Sequence, residues 1–207
     1  MLAPKVLVRR DKMEITGWSV RTLRDEGTQS ITEKTLNQHG VCVACLSEVR
    51  LPGSGHRLIN VLEVNSVYHL YHGGVTDNSG LYGVAVALSP EAQAALLAWE
   101  PISHRLARIR LKGLVVNVSV ISVYAHTLNA AEDDKDAFCC DLQAAADRTP
   151  STDLLVVAGY WNARTSVSHG AVLVLLPVLT AMHTGALLPK RQSMQQPVVR
   201  RSAPKTA

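Results

Sequence analysis

One stretch decides the fold: Asp153-Leu154-Leu155-Val156-Val157-Ala158 and, directly after it, Gly159-Tyr160-Trp161-Asn162-Ala163. A short apolar run that is rich in β-branched residues and ends at a glycine is typical of a buried strand leading into a loop. Loops at strand ends carry the polar working groups of many α/β and α+β enzymes. After the glycine, where a carboxylate would be expected, the chain has Tyr160. The stretch therefore predicts a strand-end site that lacks a carboxylate.

The charge of the chain is divided unevenly along its length. The net charge is +4, with 21 Lys and Arg against 17 Asp and Glu. No acidic residue follows Thr165, but five basic residues do; subtracting those five from the 21 leaves 16 basic against 17 acidic residues before it. The basicity belongs to the tail, and no basic patch that would indicate a DNA-binding face is evident in 1–165. Aromatic residues make up 4% of the chain and give no indication of a base-stacking surface.

The pattern of apolar residues predicts strands and helices in mixed order. A length of 207 residues is enough for one well-buried domain and too short for two with a linker. Helices are predicted after the capping-box spacing of Ser30 and Glu33, at Ser89-Pro90, and over 130–147. Hairpin-like turns favour an α+β sandwich over a doubly wound sheet. Strands are predicted at 14–20, 41–47, 67–72, 81–88, 102–111, 115–124 and 153–158.

The tail over 166–207 differs in composition from the rest of the chain. Its 170–189 stretch is mostly apolar and close to the lower limit for a membrane span, although Pro177 and His183 weaken that interpretation. A strand or buried helix of the domain, or sequence produced by read-through in another frame, explains the stretch equally well. The first 12 residues lack the apolar core of a secretory signal, so an intracellular protein, nuclear or cytoplasmic, is expected.

Polar groups follow four of the predicted strands, and strand ends in a sandwich can meet at one edge. Glu48 follows the second strand and is a candidate ligand for Mg²⁺, which typically takes one or two carboxylates together with waters and phosphate oxygens. Tyr124 offers a phenol that can orient a phosphate or donate to it. Asn162 offers an amide donor toward developing negative charge.

Together and in this order, the strand-end segments resemble motifs of the endonuclease/exonuclease/phosphatase superfamily, in particular the apurinic-endonuclease-like domain of non-LTR (LINE-type) retrotransposons. The resemblance covers about residues 13–165. It is carried by Gly17-Trp18-Ser19-Val20-Arg21-Thr22-Leu23, Leu46-Ser47-Glu48-Val49-Arg50-Leu51, Gly83-Val84-Ala85-Val86, Ser103-His104-Arg105-Leu106, Val123-Tyr124-Ala125-His126-Thr127 and Gly159-Tyr160-Trp161-Asn162-Ala163.

The resemblance implies a fold, a reaction and a role for each site residue. The fold would be the first part of a four-layer α/β sandwich over 13–165, followed by an irregular tail. Glu48 would be the carboxylate ligand of Mg²⁺, Tyr124 would contact the scissile phosphate or help to activate the nucleophile, and Asn162 would stabilise the transition state. The reaction would be metal-assisted hydrolysis of a phosphodiester in DNA.

The chain also departs from the family at positions that matter for catalysis. Ser19 stands where the family has a metal-proximal Asn, His104 where it has Asp, and His126 where it has Pro. Tyr160 replaces the Asp that would orient the attacking water, and a phenol with a pKa near 10 cannot replace that base. No sequence after Thr165 matches the family's second half with its terminal Asp-His pair.

The sequence therefore predicts an endonuclease-like domain of retrotransposon origin that is truncated and catalytically impaired, with weak or absent Mg²⁺ binding. The alternative is a non-enzymatic membrane-tethered or interaction protein that uses the apolar 170–189 stretch. A third possibility is a genomic relic without a cellular role.

Overall fold

The computed structural model describes residues 13–61, 66–76, 80–162 and 174–177, which contain two five-stranded sheets and three helices. In chain order the elements are β1 (Ile15–Ser19), α1 (Glu26–Gln38), β2 (Val43–Ser47), β3 (Ser54–Val61), β4 (Ser66–Gly73), β5 (Val84–Leu88), α2 (Pro90–Ala94), β6 (Leu96–Ser103), β7 (Leu106–Leu111), β8 (Val118–Tyr124), α3 (Glu132–Asp147), β9 (Leu154–Tyr160) and β10 (Val174–Pro177).

The two sheets pack face to face with one long helix on each outer side. The first sheet has the order β1-β2-β5-β4-β3 and the second the order β10-β9-β8-β7-β6. Only the pairs β1–β2 and β8–β9 are parallel among the described pairings; the others are antiparallel. Helix α1 packs on the first sheet and α3 on the second. The predicted α+β sandwich with four layers is confirmed.

Three apolar clusters hold these layers together. The central cluster lies between the sheets and includes Val43 and Val86 from the first sheet and Ile109 and Val156 from the second, each at most 1% exposed. The outer clusters join each helix to its own sheet, and Leu36 of α1 is representative. Strands β2 and β5 are buried along their whole length, which explains their nearly continuous apolar sequences.

A buried ion pair lies at the start of β9. The Asp153 side chain is fully buried and accepts two hydrogen bonds from the Arg110 guanidinium, at 2.7 and 2.9 Å, and one from the Ser119 hydroxyl at 2.8 Å. Burial alone would raise the pKa of Asp153, but the hydrogen bonds from Arg110 and Ser119 and the positive charge of Arg110 outweigh it and lower the pKa. The carboxylate therefore ties β9 to β7 and β8.

Three predicted boundaries are wrong for local reasons. Helix α1 begins at Glu26, because Asp25 caps it by accepting a 2.7 Å hydrogen bond from the Thr28 backbone N–H, so Ser30 lies inside the helix. Strand β3 is absent from the strands that the apolar pattern predicts. The single strand predicted over 102–111 is in fact a hairpin that turns between β6 and β7.

Part of the predicted irregular tail joins the second sheet. Strand β10 pairs antiparallel with β9, Leu176 opposite Leu155. The remainder of the apolar 170–189 stretch, and with it the predicted membrane anchor, lies outside the described residues. Within the described ranges, no helix has the length and apolar character needed to cross a membrane.

Candidate functional site

The predicted strand ends meet at one edge of the sandwich. The last residues of β1 and β2 are register partners, Ser19 opposite Ser47, and so are those of β8 and β9, Tyr124 opposite Tyr160. The buried Ser47 hydroxyl donates to the Val123 carbonyl oxygen at 3.3 Å and so joins the two sheets at this edge. We call this edge the rim. The structure thus brings all four predicted segments together.

Two turns complete the rim. The Arg50 backbone N–H donates to the Tyr82 carbonyl oxygen at 2.9 Å, which fixes the loop after β2 to the turn before β5. The Tyr124 backbone N–H donates to the Arg105 carbonyl oxygen at 2.9 Å, which brings the turn between β6 and β7 to the same place. Tyr82 and Arg105 are thereby placed beside the predicted site residues.

Glu48 lies at the rim as predicted, with both carboxylate oxygens engaged. The Ser19 hydroxyl donates to Glu48 Oε1 at 2.8 Å, and the Arg50 guanidinium lies 3.7 Å from Oε2. The Glu48 side chain keeps 24% of its surface exposed, so its oxygens remain accessible from solvent. In the part of the chain that the structure describes, no three His, Cys, Asp or Glu side chains group closely enough to suggest a metal site by themselves.

Backbone strain is concentrated at the rim. Five non-glycine residues of the described ranges have positive φ angles between 51° and 64°, a region that L-residues rarely adopt. Such conformations persist only where the surrounding structure enforces them, and they cluster at functional sites. All five lie in loops that leave or enter the strands at this edge: Arg21, Glu48, Arg50, Tyr82 and Asn162.

Tyr124 lies half-buried at the rim, near the negative charge of Glu48 and the positive charge of Arg105. Burial raises the pKa of the Tyr124 phenol, the negative charge of Glu48 raises it further, and the positive charge of Arg105 opposes both. The phenol therefore stays protonated at neutral pH and can donate a hydrogen bond, but it cannot serve as a base. The Arg105 guanidinium carbon lies 4.8 Å from the centre of the Tyr124 ring.

Asn162 and Tyr160 are linked to the loop after β8. The Asn162 side-chain amide donates to the Ala125 carbonyl oxygen, and the Ala125 backbone N–H donates to the Tyr160 carbonyl oxygen at 2.9 Å. One Asn162 amide hydrogen is thus used to hold the loop, and the second remains for a ligand. The centre of the Tyr160 ring lies 6.4 Å from that of Tyr124. Tyr160 occupies the rim position at which the sequence lacks its expected carboxylate.

Sequence reasoning missed two residues of the site. Arg105 belongs to the segment Ser103-His104-Arg105-Leu106, which carries the family resemblance but implies no role for the arginine side chain. Tyr82 precedes the Gly83 motif segment and carried no signal of its own. The Arg105 guanidinium carbon lies 4.3 Å from the centre of the Tyr82 ring, so the two form a contact that depends on the meeting of both sheets.

No family model matches the sequence. The chain is 27% identical over 147 residues to "Craniofacial development protein 2" of Tragulus javanicus and, equally, of Bos taurus. The match covers 71% of this chain and 24% of those proteins, so the chain spans about a quarter of the length of these curated relatives.

Solved structures with the same architecture and TM-scores above 0.5 include the three that follow. They are the Xenopus laevis APE2 catalytic domain (TM-score 0.52, 16% identity, 73% of this chain and 59% of that chain), an endonuclease/exonuclease/phosphatase family protein from Leptotrichia buccalis (0.52, 17%, 73% and 67%), and D. rerio TDP2 complexed with a single-strand DNA product (0.51, 13%, 75% and 63%). The described part of the chain therefore has the endonuclease/exonuclease/phosphatase fold.

Proposed function

We propose that residues 13–165 form a nuclease-like domain, derived from the endonuclease of a non-LTR retrotransposon, in which phosphodiester hydrolysis is impaired. The observation that carries this proposal is the position of Tyr160. It pairs with Tyr124 at the rim, where the motif resemblance requires an Asp that orients the attacking water. A phenol lacks the carboxylate oxygens with which an Asp would take that proton. Loss of such a base lowers the rate by about two to four orders of magnitude.

The rim offers oxygen ligands of the kind that a hard divalent cation prefers, but only a few of the described residues supply them. Glu48 offers carboxylate oxygens and Ser19 a hydroxyl, and Mg²⁺ commonly uses one or two carboxylates with waters. Such an ion, when bound, neutralises charge on a phosphate that is being cleaved. The Arg50 guanidinium would compete with the cation for Glu48 Oε2, so the unsubstituted protein, called the parent below, would hold Mg²⁺ weakly.

The other two predicted residues retain donor functions. Tyr124 donates its phenolic hydrogen to a phosphate oxygen, because its raised pKa keeps it protonated. Asn162 directs its second amide hydrogen at the same group, while its first holds the Ala125 carbonyl oxygen. This set binds and polarises a phosphate but lacks a group that removes a proton from water.

DNA is the partner that the fold relatives favour. One neighbour is a TDP2 complexed with a single-strand DNA product, and two others are a catalytic domain named APE2 and an endonuclease/exonuclease/phosphatase family protein.

A plasmid-nicking assay with Mg²⁺ tests the impairment. The purified chain, the Glu48→Ala variant and the Asp141→Ala variant are compared with and without EDTA. Asp141 is an exposed carboxylate of α3 and serves as the matched control. We expect all three to nick at the same background rate. The proposal would be contradicted if the parent and the Asp141→Ala variant nicked the plasmid, EDTA stopped this nicking, and the Glu48→Ala variant did not nick.

A further inference from the structure

Four aromatic rings form a continuous row along the rim. The ring centres are 5.5 Å apart between His104 and Tyr82, 6.3 Å between Tyr82 and Tyr124, and 6.4 Å between Tyr124 and Tyr160. The rings are tilted to one another by 38° to 48°, and Tyr82 is 39% exposed. Three of the five tyrosines of the chain thus lie side by side at one edge.

Arg105 contacts two rings of this row. Its guanidinium carbon lies 4.3 Å from the Tyr82 ring centre and 4.8 Å from the Tyr124 ring centre, and its Nη1 donates to the Tyr124 carbonyl oxygen at 3.2 Å. Arg105 is 8% exposed, and its buried Nε has no hydrogen-bond partner. The cation fixes both rings in place before any ligand arrives and leaves a buried donor at the site.

Further arginines lie in the loops at the rim. Arg21 and Arg50 are exposed in the loops after β1 and β2. The Arg24 Nε donates to the Arg50 carbonyl oxygen at 2.9 Å, and a side chain added at Gly80 would meet the Arg24 guanidinium, so Arg24 lies over the turn that carries Tyr82. These residues are scattered in sequence, which is why no basic patch was evident in 1–165.

We propose that the row binds unpaired nucleobases of a single-stranded nucleic acid by stacking, with the surrounding arginines contacting its phosphates. The inference rests on the proposed function and names the ligand of the same site. Ring faces take up bases of any sequence, whereas a duplex hides its base faces inside the stack. The ligand is named by the chemistry that DNA and RNA single strands share, unpaired bases on a phosphate backbone.

The departures from the family pattern point to the same ligand. His104 and Tyr160 stand where the resemblance expects Asp, so two negative charges are replaced by rings at the rim. Each replacement removes repulsion toward a phosphate backbone and extends the stacking surface. The changes that remove catalysis therefore favour retention of a single strand.

Fluorescence anisotropy in EDTA tests this proposal without interference from hydrolysis. The full chain is titrated into labelled oligo-dT, oligo-U and duplex DNA of about 12 nucleotides, within the usual footprint of a stacking groove. The variants are Tyr82→Ala, the matched Tyr82→Phe, which keeps the ring, and Val115→Ala in the exposed loop between β7 and β8. Circular dichroism confirms that each variant is folded.

We expect the parent to bind oligo-dT, oligo-U or both at least about tenfold more tightly than the duplex. The difference in affinity between oligo-dT and oligo-U shows which backbone is preferred. Tyr82→Ala should weaken single-strand binding by about 5- to 100-fold, the range for loss of one base–aromatic stack. Tyr82→Phe and Val115→Ala should stay within twofold. Equal affinity for duplex and single strands, or a Tyr82→Ala variant that binds like the parent, would overturn the inference. Nicking by the parent would refute only the impairment, because binding is measured in EDTA.

Discussion

Replacing Asp153 tests the physical account of the strand that decides the fold. In Asp153→Ala the Arg110 guanidinium loses two charged hydrogen bonds and the buried Ser119 hydroxyl loses its acceptor. Removing one partner of a buried ion pair costs about 3–5 kcal/mol, and the lower end applies because a third of the Arg110 side chain is exposed and water can reach it. We therefore expect a loss of about 3 kcal/mol in the free energy of unfolding.

The same carboxylate predicts a dependence of stability on pH. The pKa of Asp153 is lowered in the folded protein, so the unfolded chain binds the proton more readily. The contribution of Asp153 is then complete above the unfolded pKa of about 3.9 and disappears as the pH falls through the lower folded value. The parent and Asp153→Ala should differ most at neutral pH and converge in acid.

Urea unfolding followed by circular dichroism at pH 7 and at several acid pH values measures both effects. Asp153→Asn, which keeps one carbonyl acceptor, should lose about 2 kcal/mol, less than the alanine variant. Asp141→Asn, on the exposed surface of α3, is the matched control and should unfold like the parent. An Asp153→Ala variant within 0.5 kcal/mol of the parent at pH 7, about the scatter of surface substitutions, would refute the reasoning.

Substitutions at three further positions probe the rim and the first sheet by urea unfolding. Gly159→Ala should lower the free energy of unfolding by about 3 kcal/mol, because the added Cβ would clash with the Val123 backbone and because Gly159 has a φ of 147°, which L-residues rarely adopt. An unchanged free energy of unfolding would contradict this. Asn162→Gly should be about 1 kcal/mol more stable than Asn162→Ala, since φ is 51°; the reverse order would show that the left-handed backbone is not a cost there. Tyr68→Phe removes a 2.6 Å hydrogen bond to the buried Val41 carbonyl oxygen and should cost about 1–2 kcal/mol, which an unchanged midpoint would disprove.

The strands that sequence predicts well are those that the sandwich buries on both faces. Strands β2, β5 and most of β8 and β9 have nearly unbroken apolar runs because sheets or helices cover both sides. The strands missed, β3 and β6, each lie at one outer end of their sheet, and of their described side chains only Ile59 in β3 is buried. Their sequences carry polar residues that a buried-strand pattern does not detect.

The site divides in the same way. The placement of Glu48, Tyr124 and Asn162 at the rim was predictable because each lies at or just after the end of a buried strand within a motif, and strand ends meet at one edge. The row of aromatic rings was not predictable from the sequence. An aromatic content of 4% describes the whole chain and does not show that three tyrosines and a histidine meet at one edge. Arg105 contacts Tyr82 and Tyr124 only after two turns from different sheets come together. Such contacts follow from tertiary packing and leave no periodic signal.

The most direct test of the central claim restores the missing carboxylate. The Mg²⁺-dependent cleavage rate of a labelled DNA oligonucleotide is measured for the parent, for Tyr160→Asp and for the double variant that also carries Glu48→Ala. We predict that the parent shows no cleavage above background, that Tyr160→Asp gains at least about tenfold, and that Glu48→Ala abolishes the gain. A positioned base contributes about two to four orders of magnitude, and the gain falls short of that range because Ser19 still stands where the motif resemblance expects a metal-proximal Asn. A parent that already cleaves as fast as Tyr160→Asp, or a Tyr160→Asp variant no faster than an inactive parent, would contradict the account.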